Sequence, residues 1–232
     1  MIGAGPSGAA IPCGTTAMLL LVMNTTLTHQ PPRYPLSSNK GLHRPDIISR
    51  DVTPVSPWVA LETVTVRDSA GAQQTFHAIK QADYVQVLCL HEGGQLVLVR
   101  QFRPILEVVT LEFPGGLRDG NDDPALSARR EVEEETGLEV VELIPLIDAF
   151  ADVGRLTNRC YGFFALVRGE LKQREPEVEP LLVSGQEVRR LAAAGELGVP
   201  TQLGLLYLAA VNAGVRKICA ALGFGKPPWM DE

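Results

Sequence analysis

Residues 116–138 read G-L-R-D-G-N-D-D-P-A-L-S-A-R-R-E-V-E-E-E-T-G-L and form the most informative stretch of the chain. Glu131, Glu134 and Glu135 stand at positions i, i+3 and i+4, so in a helix they share one face, with Cβ atoms about 5–6 Å apart. Like charges at this spacing destabilise an isolated helix by about 0.2–0.5 kcal/mol per pair. A helix that keeps three of them together indicates a bound cation.

The ends of this helix are marked by the residues that usually cap helices. Asp123 is a good N-cap residue, and Pro124 suits the first helical position, where no backbone donor is needed. Gly137 supplies a left-handed stop. An apolar stripe on the side away from the acids is predicted to face the core: Ala125, Ala128 and Val132.

Carboxylate oxygens are hard ligands of the kind that Mg²⁺ and Mn²⁺ prefer. Mg²⁺ is commonly held by one or two carboxylates together with substrate phosphates. The cluster therefore predicts metal-assisted attack of water on a phosphate ester or anhydride. Taken alone, the acidic run also fits a solvated surface helix without any metal.

The composition of the 232-residue chain excludes several other classes of function. A net charge of −6 argues against nonspecific nucleic-acid binding, which needs a basic surface. The four cysteines are widely spaced and contain no C-x-x-C pair, which indicates buried thiols in a reducing compartment. We therefore expect a cytoplasmic protein with neither a nucleic-acid nor a membrane partner.

Residues 1–45 contain no acidic side chain and are rich in Gly, Pro, Ser and Thr, which predicts a flexible N-terminal extension. Residues 17–23 are apolar but too few to cross a bilayer, which takes about 20. Residues 3–8 fit G-x-G-x-x-G, but they lack the strand and helix that a dinucleotide site needs. Organelle import through this extension and an upstream start site are both left open.

The rest of the chain alternates between strand-like and helix-like patterns, which predicts an α+β fold. A hairpin is expected across the turn at residues 68–72, and a second one across residues 91–94. The predicted strands are residues 58–66, 74–80, 84–90, 95–100, 110–113, 140–149 and 160–169, and the predicted helices beyond the acidic one are residues 186–194 and 203–222.

The acidic stretch resembles the Nudix box, G-x5-E-x7-R-E-U-x-E-E-x-G-U, where U is a bulky aliphatic residue. One position departs, because Asp122 stands where the pattern has its first Glu. Eight positions match in register: Gly116, Arg130, Glu131, Val132, Glu134, Glu135, Gly137 and Leu138.

The resemblance implies a Nudix-type α/β/α sandwich with a mixed sheet and an added N-terminal antiparallel β-region. It places the hydrolase domain at residues 46–222, divided into N-terminal strands (46–82) and a catalytic core (83–222). Residues 223–232 would then form a C-terminal tail.

Outside the box, residues 99–104 (V-R-Q-F-R-P) and 112–116 (E-F-P-G-G) resemble the ADP-ribose and ADP-sugar pyrophosphatase branch of that family. The resemblance implies that Arg103 reaches the substrate's phosphates or terminal ribose, and that Glu112 also belongs to the substrate-binding residues. A planar guanidinium can bind two phosphate oxygens at once. The alternative is that Arg103 only pairs with Glu107 or Glu112 at the end of a strand.

Carried over position by position, the resemblance makes Glu131, Glu135 and the carbonyl of Gly115 metal ligands. Glu134 would complete the ion site or orient the attacking water, and Arg130 would belong to the same catalytic set. Trp58 and Phe76 correspond to aromatics that stack on adenine, one from each subunit of a homodimer. Both could instead be ordinary strand aromatics.

Two departures from the branch limit this transfer. Gln81, with Lys80 adjacent, stands where relatives place an Arg. In the loop at residues 152–159, Asn158 stands where some bacterial members have a general base, and an amide cannot accept a proton near neutral pH. Asp152 of this loop would hold a ribose hydroxyl or only stabilise the loop.

The leading hypothesis is Mg²⁺-dependent hydrolysis, with Mn²⁺ as an alternative ion, of the pyrophosphate bond of ADP-ribose or a related nucleoside diphosphate sugar. The products would be a nucleoside monophosphate and a sugar phosphate. Two other hypotheses stay open. One keeps the chemistry but takes a dinucleotide or an oxidised nucleotide, and the other is a non-catalytic Nudix module that senses nucleotides.

Overall fold

The computed structural model describes residues 44–120 and 122–230. The predicted extension lies outside these residues up to position 43, as do Cys13 and the G-x-G-x-x-G segment. The flexible extension and its role therefore stay predictions. The three described cysteines, Cys89, Cys160 and Cys219, are buried and free, as the sequence indicates.

An N-terminal antiparallel sheet has the strand order β1-β2-β3. Its turn between β2 and β3 is fixed by Asp68, whose side chain accepts hydrogen bonds from the backbone N–H groups of Ala70 and Ala72. The strands are β1 (Asp46–Pro54), β2 (Val59–Arg67) and β3 (Gln73–Gln81). The predicted N-terminal β-region is thus confirmed, although the sequence reading missed β1.

The second sheet has seven strands and is mixed, because β4 and β9 run parallel while the other pairs are antiparallel. Its main order is β10-β5-β4-β9-β8, with β6 paired to β5 and β7 paired to β4. The strands are β4 (Tyr84–His91), β5 (Leu96–Arg103), β6 (Val108–Glu112), β7 (Gly115–Leu117), β8 (Glu139–Phe150), β9 (Arg159–Arg168) and β10 (Val178–Val183).

Helices cover both faces of this sheet, which confirms the α/β/α sandwich and the α+β class. Side chains of a strand alternate between faces. Along β4, Val85 and Val87 pack against α1 (Pro124–Thr136), whereas Leu88 and Leu90 lie in the core on the other side. That second core also holds buried residues of α2 (Gly185–Ala193), α3 (Pro200–Val211) and α4 (Ala213–Ala221).

The predicted single helix over residues 203–222 is wrong. Asn212 has an extended backbone (φ −71°, ψ 126°), and its side chain accepts hydrogen bonds from the N–H groups of Gly214 and Val215. It therefore ends α3 and caps α4, and the two helices meet at 72°. No single helix in the described part of the chain is long and apolar enough to cross a membrane, although α3 and α4 together meet that test by length and composition.

The segment after α4 packs against the domain as far as Met230. A 3₁₀ helix at Pro228–Met230 places Trp229 in the second core with 2% of its surface exposed. The indole N–H of Trp229 donates to the carbonyl of Leu206 at 3.0 Å. The sequence reading, which treats this region as a tail, missed the anchoring role of Trp229.

Candidate active site

A cavity of about 440 Å³ opens where β4 and β5 separate. The two strands pair only at Cys89–Val97 and Leu90–Leu96. Beyond that point β4 turns to pair with β7 and β5 pairs with β6, so the sheet splits. The residues around the opening include Tyr84, Gln86, Gln101, Arg103, Glu112, Gly115, Gly116, Glu131, Glu135 and Val199.

Helix α1 delivers two carboxylates to this cavity, Glu131 and Glu135, one turn apart. The predicted caps of α1 are present, because Asp123 accepts from the N–H of Ala125 and Gly137 has φ 72°. However, the expectation that the acids lie away from the buried side is wrong. Glu131 is 9% exposed and Glu135 is 6% exposed, because β7 covers them.

Gly115 and Gly116 of β7 lie so close to β4 and α1 that neither position has room for a side chain. A Cβ atom on Gly115 would lie 2.2 Å from the carbonyl oxygen of Val85. A Cβ atom on Gly116 would lie 2.4 Å from Oε2 of Glu131. The N–H of Gly115 donates to Oε2 of Glu135 at 2.9 Å, which fixes that carboxylate. Thus the Gly-Gly pair lets strand and helix approach closely.

Burial is the main reason why the pKa of Glu135 is raised to about 8. The Gly115 hydrogen bond opposes the shift, whereas the nearby charges of Glu131, Glu175 and Glu112 increase it. Burial also raises the pKa of Glu131, against the lowering effect of Arg130. A cation between Glu131 and Glu135 would offset this cost, so the two carboxylates fit a divalent metal.

Glu134 does not join the two buried carboxylates. Its side chain is 46% exposed and pairs with Arg130 at 3.1 Å. Arg130 also pairs with Glu131 at 3.0 Å and with Asp119 at 3.2 Å, so it ties the helix to the loop after β7. Among the described residues, no three His, Cys, Asp or Glu side chains converge as a metal site.

Arg103 and Glu112 form a two-point ion pair at the cavity wall. Nε and Nη2 of Arg103 donate to the two carboxylate oxygens of Glu112 at 2.7 and 2.6 Å. Burial opposes ionisation of Glu112, but hydrogen bonds from Arg103 and Thr110 outweigh it, so its pKa is lowered. Arg103 therefore makes the ion pair with Glu112 that was the alternative to a role in substrate binding. Both residues nevertheless border the cavity.

A second cavity of about 510 Å³ adjoins the first, and Leu117 borders both. Trp58 lines it with 74% of its surface exposed, and so do Lys80 and Gln81. Phe76 lies on β3 opposite Val64, is 51% exposed and borders neither cavity. The structure therefore places Trp58 in the cavity that adjoins that of the carboxylates and leaves Phe76 outside both cavities.

The loop before β9 is held by its own polar side chains. Oδ1 of Asp152 accepts from the N–H groups of Gly154 and Arg155 at 2.7 and 3.1 Å, which stabilises the turn. Asn158 is 2% exposed, and its amide donates to the carbonyl of Ala82 at 3.1 Å. Neither residue borders the two cavities, so both act here on the loop.

Glu175 is a candidate functional residue that the sequence reading missed. It lies half-buried in the connection from β9 to β10, and its charge helps to raise the pKa of Glu131 and Glu135. The N–H of Lys172 in this connection donates to the carbonyl of Thr136 at 2.9 Å, which docks the loop on the end of α1. No local motif marks Glu175, because it reaches the site only through the fold.

Comparison with known proteins supplies independent findings. The profile of the NUDIX domain matches residues 80–200. The ADP-sugar pyrophosphatase of Mus musculus is 33% identical over 129 residues, covering 50% of this chain and 58% of the mouse protein. The ADP-ribose pyrophosphatase of Bacillus subtilis (strain 168) is 29% identical over 110 residues, covering 47% of this chain and 60% of that protein.

The chain thus spans about three-fifths of the length of these two relatives. A crystal structure described as an ADP compounds hydrolase superposes with a TM-score of 0.64 at 20% identity. The match covers 79% of this chain and 98% of the other, so it confirms the fold.

Proposed function

Because the chain belongs to the NUDIX domain family, we propose that it hydrolyses the pyrophosphate bond of ADP-ribose or a related nucleoside diphosphate sugar. The products are a nucleoside monophosphate and a sugar phosphate. The mouse and Bacillus relatives are an ADP-sugar and an ADP-ribose pyrophosphatase, which agrees with this substrate class. The observation that carries the proposal is the buried Glu131–Glu135 pair, which shares one cavity with Arg103.

Glu131 and Glu135 hold the divalent ion in this proposal, with the carbonyl of Gly115 as a further oxygen ligand. Mg²⁺ is the expected ion and Mn²⁺ the alternative, since the donors are all hard oxygens. When bound, such an ion stabilises charge on the diphosphate and lowers the pKa of a water molecule. Glu134, which is exposed and tied to Arg130, has the supporting role of keeping Arg130 beside Glu131.

Arg103 orients the diphosphate in this proposal. Glu112 holds two of its nitrogens, and Nη1 has no hydrogen-bond partner among the described residues. The ion pair therefore fixes the plane of the guanidinium and leaves one edge for a phosphate oxygen. A charge-assisted hydrogen bond of this kind is about twice as strong as a neutral one.

Glu175 is the general base that we assign, because Asn158 is buried in the loop and cannot accept a proton. It takes a proton from the attacking water while the water oxygen bonds to phosphorus. The bridging P–O bond then breaks, and its electron pair leaves with the departing phosphate. The docking of the β9–β10 connection on α1 holds Glu175 near the two metal-binding carboxylates.

Trp58 binds the base of the nucleotide by stacking in the adjoining cavity. Two observations support this role: the large exposed face of Trp58, and its position in the cavity that meets the carboxylate cavity at Leu117. Stacking on an aromatic face contributes about 1–3 kcal/mol per base. Lys80, which borders the same cavity, supplies a positive charge near the nucleotide.

A homodimer belongs to the same proposal, with Phe76 serving the site of the partner subunit. The N-terminal sheet exposes Phe76 and several apolar side chains of β1, namely Ile47, Ile48 and Val52. Such a patch is typical of a protein interface. Light scattering coupled to size exclusion measures the mass of the protein in solution, and a monomer at micromolar concentration would contradict the dimer.

The experiment that tests the function is a panel of diphosphates assayed with Mg²⁺ and with EDTA. ADP-ribose and ADP-glucose should yield AMP only when the metal is present. Preference for diadenosine polyphosphates or oxidised nucleoside triphosphates would instead favour the second hypothesis. Binding of ADP-ribose with no release of AMP would favour the nucleotide sensor.

A further inference from the structure

The wall of the catalytic cavity opposite the α1 carboxylates is made of neutral polar side chains. Because side chains alternate along β4, Tyr84 and Gln86 project toward the α3 face of the split sheet, whereas Val85 and Val87 face α1. Val199, just before the start of α3, borders the same side of the cavity.

Gln86 is held in one orientation, and its nitrogen lacks a partner. The hydroxyl of Thr201 donates to Oε1 of Gln86 at 2.8 Å, and the thiol of Cys160 donates to the same oxygen at 3.9 Å. Among the described residues nothing pairs with the amide nitrogen, although Gln86 is only 7% exposed and borders the cavity. A free donor on a largely buried side chain that borders the cavity is suited to a ligand with acceptor oxygens.

The neighbours of Gln86 keep the wall uncharged. Burial, together with a hydrogen bond to Cys160, raises the pKa of Tyr84, so its hydroxyl keeps its proton at neutral pH. Cys160 is buried, and burial raises the pKa of its thiol as well. No side chain caps the start of helix α3, which begins at Pro200.

Neutral donors and acceptors match the hydroxyl groups of a sugar. The cationic Arg103 and the metal-binding carboxylates line the other side of the cavity, where the diphosphate would lie. A ligand with a charged phosphate on one side and hydroxyls on the other would therefore satisfy both walls at once.

We propose that Tyr84 and Gln86 form the subsite for the sugar half of the substrate, with Gln86 donating to a ring hydroxyl. This inference rests on the proposed function, because it extends the same cavity. Gln86 is then a specificity-determining residue, since a substrate whose leaving half lacks hydroxyls gains nothing from it.

The test compares ADP-ribose with ADP methyl ester, whose leaving half carries no hydroxyl group. Gln86→Met retains the length of the side chain and removes its donors, and Gln86→Leu is a second variant in case the first fails to fold. We expect kcat/KM for ADP-ribose to fall about tenfold, the value of one neutral hydrogen bond, while ADP methyl ester is unaffected. Equal losses on both substrates, or no loss on either, would overturn the subsite.

The control is Gln95→Leu, at the exposed β4–β5 turn on the far side of the strand, which should change neither substrate. If the wild-type protein hydrolyses no diphosphate, the proposed function fails, and calorimetry with ribose 5-phosphate in EDTA still tests the subsite. Weaker binding to Gln86→Met than to the wild type supports it. Equal binding, or no binding to either protein, contradicts it.

Discussion

Arg103 and Glu112 lie on the neighbouring strands β5 and β6 and share two hydrogen bonds, of 2.7 and 2.6 Å, at the edge of the cavity that holds Glu131 and Glu135. The side chain of Arg103 is 44% exposed and that of Glu112 is 11% exposed. The carboxylate is therefore the buried support, and the guanidinium is the accessible group. An ion pair of this kind orients a cation for an anionic ligand as well as stabilising the strands.

Replacing Arg103 by Lys should separate orientation from charge. Lysine keeps the positive charge but cannot make the two-point contact with Glu112. We expect KM for ADP-ribose to rise about tenfold or more with a smaller change in kcat, as measured by steady-state kinetics. A lower melting temperature with unchanged KM would mean that the ion pair only stabilises the strands.

Replacing Glu135 by Gln should abolish turnover while stabilising the metal-free protein at high pH. The pKa of Glu135 in the folded chain is about 8, above its ordinary value, so the folded state binds more protons than the unfolded state between those values. Stability of the wild type in EDTA should therefore decrease as pH rises toward and through 8. The neutral variant loses this dependence.

Melting curves in EDTA at pH 5 and pH 9 measure this effect. The Glu135→Gln protein should gain a few degrees over the wild type at pH 9 and little at pH 5. Glu133→Gln, an exposed acid on the same helix, is the control and should match the wild type at both values. Unchanged turnover in Glu135→Gln would remove this residue from the metal site.

Adding a methyl group at Gly116 should disturb the carboxylate pair without altering its chemistry. The new Cβ would lie 2.4 Å from Oε2 of Glu131, so that side chain must move. We expect Gly116→Ala to need about tenfold more Mg²⁺ for half-maximal activity, a change of about 1.4 kcal/mol in metal binding.

The matched control is Gly204→Ala in α3, where an added Cβ meets nothing within 4 Å. It should leave the metal requirement unchanged and stabilise the helix by about 0.5–1 kcal/mol. An unaltered metal requirement in Gly116→Ala would show that Glu131 has room to relax without losing its ligand position.

The sequence predicted what depends on local spacing and missed what depends on the three-dimensional arrangement. The capped ends of the α1 helix follow from residues close in the chain. The burial of Glu131 and Glu135 does not, because it comes from β7 lying across the helix. Gln86 is brought to the cavity by the split between β4 and β5, and Glu175 is brought near the two carboxylates by the docking of a distant loop.

The break at Asn212 was missed for a related reason. Residues 203–222 are rich in Ala and Leu, so helix propensity alone favours one continuous helix. Asn212 instead caps the second helix, with two hydrogen bonds to its side chain, and both helices place buried residues in the same core. Capping by Asn was the only local signal that could have located the bend.

Glu175→Gln should lower kcat by about 10²–10⁴ with little effect on KM, which is the usual loss when a general base is removed. The neighbouring Glu177→Gln is the control, because Glu177 is exposed on the same loop and should be nearly silent. If Glu177→Gln lost activity and Glu175→Gln did not, Glu177 would be the general base. Equal activity in both variants would exclude a carboxylate base from this loop.

Trp58→Ala should weaken substrate binding and spare the chemical step. Trp58 borders the cavity next to Leu117 rather than the carboxylates, so its loss removes stacking on the base alone. A stacking contribution of about 1–3 kcal/mol corresponds to a rise in KM of roughly 5- to 150-fold, with kcat within about twofold. Tyr207→Ala, which removes an exposed aromatic from α3, serves as the control and should leave both constants unchanged. If kcat fell while KM stayed constant, Trp58 would have to act on the reacting phosphate, which its place in the second cavity does not support.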